Sequence, residues 1–207
     1  MKHYIDITLL PDPEIPLYFL WEKVYQQLHL ALVEHAFEKE VVDNSGNKKL
    51  IKVSKIGISF PGYDVEKHHL CKKLRLFSET KELLESLNAG KWLANLSDYV
   101  HLTSIKPVEP EKIKGYGCFY RIQAQHNNAY LARRKTKAKK NALPFEEAMK
   151  YFALRKDKSI DAPFVYLKSA SSGKRFPLFI AYQEKKEANY QGFSCYGLSP
   201  QSTVPIF

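Results

Sequence analysis

His3-Tyr4-Ile5-Asp6-Ile7-Thr8-Leu9-Leu10, followed after Pro11 and Pro13 by a long apolar-periodic run over residues 17–35, decides the fold class. The first stretch alternates, with Ile5, Ile7 and Leu9 on one side, and this period of two predicts a strand half-buried on one face. In the second, Leu20, Val24, Leu28, Ala31 and Leu32 recur at helical spacing and predict an amphipathic helix. A strand feeding a helix sets a frame that the next segments extend. Residues 40–53 read as strand–turn–strand around the turn formers Asp43-Asn44-Ser45-Gly46-Asn47. Short strands are expected over 56–60, closed by Pro61-Gly62, and over 74–77. Ser78 is a candidate N-cap for a helix to Leu87 with Gly90 as its stop, residues 92–99 extend it helically, and a strand covers 100–105. Strand, helix, two strands, helix, strand is the split βαβ, or ferredoxin-like, order, a common platform for RNA.

Lys106-Pro107-Val108-Glu109-Pro110 breaks this pattern and predicts a boundary between residues 1–108 and 109–207. The fold class expected is α+β: an N-terminal ferredoxin-like (βαββαβ) domain, then a C-terminal α+β domain bearing a basic helix. In the second part strands are expected over 116–125, 163–168, 175–182 and 193–196. Helices are expected over 127–141 and from Pro144 to Leu154, and Ser171-Ser172-Gly173 is a turn.

The 207 residues are 44% apolar and 13% aromatic, which excludes wholesale disorder. No apolar run approaches the ~20 residues of a membrane span, so no membrane role is expected. The N-terminal residues lack a cleavable signal pattern, and the chain reads as cytosolic. Cys71, Cys118 and Cys195 form no C-x-x-C pair; neither a disulfide framework, a metal site nor a cofactor is expected.

The net charge of +10 is lopsided. Residues 1–108 balance 14 Lys and Arg against 14 Asp and Glu, whereas 109–207 hold 18 against 8. A basic half beside a neutral half predicts a polyanion-binding face. Its focus is Tyr130-Leu131-Ala132-Arg133-Arg134-Lys135-Thr136-Lys137-Ala138-Lys139-Lys140, with six positive charges and no negative one. On a helix Arg133, Lys137 and Lys140 fall within one ~60° sector with Arg134 beside them, while Leu131, Ala138 and Ala142 lie opposite. Like charges at that spacing repel, and phosphates relieve the repulsion by releasing counterions. A solvated Lys-rich surface fits the same composition, and composition does not separate RNA from DNA.

Candidate reacting groups are sparse. His29 flanks the buried stripe of the first helix about 100° from Leu28, where an imidazole can face a cleft or can serve only packing. Ser169, Ser171 and Ser172 crowd the Lys168–Lys174 turn, and Tyr196 precedes Gly197 in Phe193-Ser194-Cys195-Tyr196-Gly197-Leu198.

Taken in order, these segments resemble the CRISPR repeat-processing endoribonuclease of the subtype I-F (Ypest) system, of the RAMP superfamily. The resemblance runs through His3-Tyr4-Ile5-Asp6-Ile7, Pro11-Asp12-Pro13-Glu14, Leu28-His29 and Ile56-Gly57-Ile58-Ser59-Phe60-Pro61. It continues through Arg121-Ile122-Gln123-Ala124, the basic helix, Pro163-Phe164-Val165 and Ser169-Ala170-Ser171-Ser172-Gly173. It ends with Cys195-Tyr196-Gly197-Leu198-Ser199 and Val204-Pro205-Ile206-Phe207.

The resemblance implies a protein that binds the stem-loop of CRISPR repeat RNA and cleaves pre-crRNA at the base of the stem without a metal. The ribose 2′-hydroxyl attacks its own phosphorus, giving a 2′,3′-cyclic phosphate (or 3′-phosphate) and a 5′-hydroxyl. It implies His29 as general base, Ser169 as the group that holds the 2′-hydroxyl, Tyr196 as the residue that orients His29, and Ser171 and Ser172 at the phosphate. Arg133, Arg134, Lys137 and Lys140 match the groove-facing helix, with Lys137 standing where the family often has Arg. Arg121 and Gln123 match a base-reading pair, and Phe176 matches an aromatic that stacks on the terminal base pair. The implied partners are the repeat RNA and other Cas subunits of a type I-F crRNA-guided complex in which the protein stays on its product. Residues 36–53 exceed the family core. A noncatalytic RNA-binding scaffold of the same fold shares the basic helix and differs at His29 and Ser169; a DNA-binding regulator would bind duplex DNA with comparable strength and show no hairpin preference.

Overall fold

A computed structural model describes residues 1–42, 46–64, 66, 67, 69–123 and 160–207. The chain is mixed α and β. It divides into two compact units, Met1–Arg121 with Ala162–Phe207, and Ile122–Asp161. Nearly all described residues lie in the first. The basic segment with Arg133, Arg134, Lys137 and Lys140, and the helices expected around it, lie outside the described residues.

The first sheet grows around β1 (His3–Leu9). β5 (Lys73–Ser78) lies antiparallel on one side and β6 (Val100–Leu102) antiparallel on the other; β4 (Gly57–Ser59) extends the β5 edge, and β7 (Lys106–Pro107) also pairs with β1. The register sets Ile5 opposite Leu76 and Ile7 opposite Leu74, so the alternating apolar residues of two strands share one face. Against that core pack α1 (Leu17–Glu34), α2 (Lys81–Leu87) and the short α3 (Ala89–Trp92). Leu20, Trp21, Val24, Tyr25, Leu28, Ala31 and Leu32 of α1 are buried, which is the stripe that the helical spacing requires. Among the described helices none is long and apolar enough to cross a membrane.

The opposite face of the sheet is closed by the chain itself. Asp6 and Arg75 face each other across β1 and β5 in a buried two-point ion pair, at 2.6 and 3.2 Å. The Arg75 guanidinium also lies over the rings of Tyr4, at 4.6 Å, and Phe207, at 4.1 Å. Phe207 meets Tyr4 and Phe77 edge to face. The aromatic residues of this face, Tyr4, Phe77 and Phe207, are engaged in packing against one another and against Arg75.

A second sheet has the order β11 (Val204–Ile206), β8 (Gly115–Ile122), β10 (Arg175–Lys185), β9 (Phe164–Lys168). A separate ribbon pairs β2 (Phe37–Val42) with β3 (Lys48–Val53), Phe37 opposite Val53 and Val42 opposite Lys48.

Three local expectations give way. Residues 193–196 do not form a strand: only Phe193 bridges, to Ser54, and the chain then turns, with Gly197 at φ +69°. α2 starts at Lys81 after Thr80, while the Ser78 hydroxyl donates to the Thr80 carbonyl instead of capping the helix. The helix ends at Asn88 in a left-handed conformation, φ 47°, and Gly90 lies inside α3. Asn tolerates that conformation better than most side-chain-bearing residues, so it replaces the expected glycine stop.

Candidate functional site

The site grows from one edge of α1. Glu22, Gln26 and His29 stand at i, i+4 and i+7, within a ~60° sector of the helix beside the buried stripe. Each takes a partner from the last 40-odd residues of the chain. Glu22 pairs with the Arg175 guanidinium at 2.6 Å. The Gln26 side-chain oxygen accepts the Lys168 backbone N–H at 2.8 Å. His29 Nδ1 lies 2.9 Å from the Cys195 carbonyl oxygen.

The Glu22 and Gln26 contacts hold the serine turn. Lys168 and Arg175 are register partners in the β9–β10 hairpin, so α1 grips both stems of the turn between them. Inside it, Ser169 N–H donates to the Lys174 carbonyl and Gly173 N–H donates to the Ser169 carbonyl, at 2.9 and 2.8 Å. The Ser169 hydroxyl lies 3.2 Å from the Ser171 hydroxyl and accepts the Ser172 N–H at 3.3 Å. The three hydroxyls expected to act together do share one turn. Ser171 and Ser172 are exposed and Ser169 is half-buried. Gln26 lies three residues before His29, about 4.5 Å along the helix axis, so the stem of this turn and the imidazole are positioned by the same stretch of α1.

The His29 contact defines the imidazole. A carbonyl only accepts, so Nδ1 carries the proton and Nε2 is left with its lone pair. The ring of Tyr196 stacks on the imidazole, with centroids 4.4 Å apart and planes 10° from parallel. Burial lowers the His29 pKa from its usual value, and the hydrogen bond to Cys195 opposes this more weakly. The imidazole is thereby kept neutral in neutral solution.

The turn that presents Cys195 and Tyr196 is fixed from below. Ser54 and Phe193 exchange backbone hydrogen bonds of 2.7 and 2.9 Å, and Ile58 N–H donates to the Gly197 carbonyl at 2.8 Å. The Tyr25 hydroxyl, on the fully buried side of α1, donates to the Tyr196 carbonyl at 2.8 Å. A Cβ at Gly197 would run into the Ile58 side chain, and its φ is positive, so any side chain there is strained.

Beyond Tyr196 the stack continues. The Arg121 guanidinium lies 5.4 Å from the Tyr196 ring and 5.5 Å from the Phe176 ring. Arg121 is exposed at the end of β8 and Phe176 is half-buried on β10. Three of the residues expected at an RNA site, Tyr196, Arg121 and Phe176, therefore adjoin each other, and Tyr196 links them to His29. Gln123 is exposed and described, but it belongs to the second unit. Residues that sequence reasoning did not single out are Glu22, Gln26, Tyr25, Cys195 and Arg175. The polar i, i+4, i+7 spacing of the first two with His29 was the available signal.

A neutral imidazole with one free nitrogen, a hydroxyl turn gripped by the same helix, and a cation between aromatic rings can together take a proton near a ribose and hold a stacked base. Residues 4–207 match the protein-family model described as CRISPR-associated protein (Cas_Csy4). The chain is 35% identical over 208 residues to the CRISPR-associated endonuclease Cas6/Csy4 of Pseudomonas aeruginosa (strain UCBPP-PA14), covering all of both chains. It is 34% identical, again over the whole of both chains, to the protein of the same name from Escherichia coli (strain UTI89 / UPEC).

Proposed function

The chain belongs to the CRISPR-associated Cas_Csy4 family, and on that premise we propose that it is an endoribonuclease of CRISPR RNA maturation. It binds the stem-loop of the repeat and cleaves pre-crRNA at the base of the stem by a metal-independent route.

The observation that carries this reading is the fixed tautomer of His29, with Nδ1–H on the Cys195 carbonyl and Nε2 available. In the reaction Nε2 takes the proton of the ribose 2′-hydroxyl. The 2′-oxygen forms a bond to the adjacent phosphorus, and the bond from phosphorus to the 5′-oxygen of the next nucleotide breaks. The departing oxygen takes a proton from water, and the protonated His29 returns its own to solvent. The ends are a 2′,3′-cyclic phosphate, which water opens to a 3′-phosphate, and a 5′-hydroxyl. Ser169 holds the nucleophilic hydroxyl in line, where positioning lowers the barrier by several kcal/mol. Ser171 and Ser172 hold the phosphate region, and the Tyr196 ring fixes the plane of the imidazole.

Recognition is assigned to the remaining charged and aromatic groups. Arg121 and Gln123 read base edges at the bottom of the stem, by a guanidinium fork on guanine and an amide on adenine. Phe176 stacks on the terminal base pair. Arg133, Arg134, Lys137 and Lys140 contact the stem. The contacts that hold the stem outlast the cut, so the protein stays on its product as a subunit of a type I-F crRNA-guided complex with other Cas proteins. The frame is a ferredoxin-like N-terminal domain, a reading supported by the antiparallel order β4-β5-β1-β6, followed by an α+β domain with the basic helix.

A repeat RNA with a single 2′-deoxy nucleotide at the cleavage position tests this reading. The enzyme binds it as tightly as the all-ribose RNA and leaves it intact. Cleavage of the deoxy RNA at the same bond would remove 2′-hydroxyl attack, and equal indifference to both RNAs would leave a binding scaffold.

A further inference from the structure

The β2–β3 ribbon has two chemically different faces. Strand alternation puts Glu38, Glu40 and Val42 with Lys48, Leu50 and Lys52 on one face. There the charges cancel: Glu38 is opposite Lys52, and Glu40 pairs with Lys48 at 2.8 Å. The other face carries Phe37, Lys39, Val41, Lys49, Ile51 and Val53, with no acidic residue. Just past the end of β3, Lys55 sets its ammonium 5.3 Å from the Phe37 ring. Phe37, Lys49, Ile51 and Lys55 are exposed. One side of the ribbon is self-neutralised, and the other combines ammonium groups with an exposed ring and an aliphatic strip.

The root of the ribbon is bonded to the segment that carries Cys195. Lys39 reaches from it to donate to the Gln191 carbonyl at 3.0 Å. The Cys195 thiol donates to the Lys52 carbonyl at 3.7 Å, and Ser54, directly after β3, pairs with Phe193. The turn whose Cys195 carbonyl holds His29 is thus bonded at several points to the root of the ribbon.

We propose that the Phe37–Lys49–Lys55 face of the ribbon binds the single-stranded RNA flank that runs from the scissile phosphate, an inference that rests on the endoribonuclease reading above. Single-strand sites combine cations that follow the backbone with aromatic surface on which bases stack, and they need no base-specific hydrogen bonds. This face offers that combination on a ribbon whose root is bonded to the turn that holds His29.

The test compares wild type with Lys49→Gln/Lys55→Gln on a repeat stem-loop, bare or carrying a short oligouridine extension beyond the cleavage position. A 2′-deoxy nucleotide at that position keeps both RNAs intact. Wild type binds the extended RNA more tightly than the bare stem-loop. The double variant binds the bare stem-loop like wild type and gains nothing from the extension. For the extended RNA, the slope of log affinity against log salt becomes shallower by about 1.4, at roughly 0.7 per single-strand phosphate contact. Phe37→Ala, which keeps the charges, lowers the gain from the extension as well. If the extension adds nothing in wild type, the proposal is overturned. If the double variant keeps the full gain, it is also overturned, and the face is left to a protein partner. Failure of wild type to bind even the bare stem-loop would overturn the underlying reading instead, and that arm contains no flank.

Discussion

The rings of His29 and Tyr196 lie 4.4 Å apart and almost parallel, while the residue before Tyr196 accepts the proton-bearing nitrogen of His29 through its carbonyl. Two consecutive residues of one turn therefore set the plane and the tautomer of the same imidazole. Rotation of the ring is opposed by stacking, and a tautomer switch would set a lone pair against the Cys195 carbonyl oxygen.

Burial fixes the sign of the pH dependence. In the proposed mechanism the neutral form of His29 is the base, and desolvation lowers its pKa below the ordinary ~6.5. Single-turnover cleavage in the absence of divalent ions should rise with pH and level off, with its midpoint below that value. The same shift makes folding less favourable as pH falls from about 6.5 through the lowered value, because the unfolded chain binds the proton more readily. A cleavage midpoint above 6.5 would show that the charged form is stabilised, contrary to the burial.

Tyr196 separates stacking from hydroxyl chemistry. Tyr196→Phe retains the ring and should cleave within a few-fold of wild type. Tyr196→Ala exposes one face of the imidazole to water, so cleavage should fall by about 10-fold or more and the pH midpoint should move up toward 6.5. A loss of rate in the Ala variant with an unmoved midpoint would mean that the ring acts elsewhere than on His29.

Gly197 tests whether the turn is held as tightly as its contacts indicate. In Gly197→Ala the new methyl meets Ile58 and the backbone keeps a positive φ. The expected cost is about 1–3 kcal/mol in urea unfolding. Cleavage should fall further than the remaining folded fraction explains, since a shifted turn moves the Cys195 carbonyl away from Nδ1. Unchanged stability and rate would show a turn free to relax.

Much of the frame was legible because its signals are periodic. The alternation Ile5, Ile7, Leu9 and the stripe from Leu20 to Leu32 are direct consequences of strand and helix geometry, and both elements stand where those patterns fall. The turn at residues 193–198 was not legible as a turn. Phe193-Ser194-Cys195-Tyr196 alternates like a strand, but the positive φ of Gly197 and the hydrogen bonds that Ser194 exchanges with Gly197 and Leu198 bend the chain there. His29 could be placed at the edge of the stripe, but its decisive partner is a main-chain carbonyl, a group every residue carries and no side-chain pattern marks. Glu22 and Gln26 read as ordinary solvated helix positions until the strands from the end of the chain are folded against them. The contact of Phe207 with Tyr4 and Phe77 was not legible either, because it joins the two ends of the sequence.

The most direct test of the central claim is cleavage of the repeat stem-loop in EDTA by wild type and by His29→Ala, with binding measured in parallel. The account predicts that wild type cuts at one position, leaving a 5′-hydroxyl end, and that the variant binds with similar affinity yet cuts at least 100-fold more slowly, about the contribution of one general base. Equal cutting by the two proteins would contradict it.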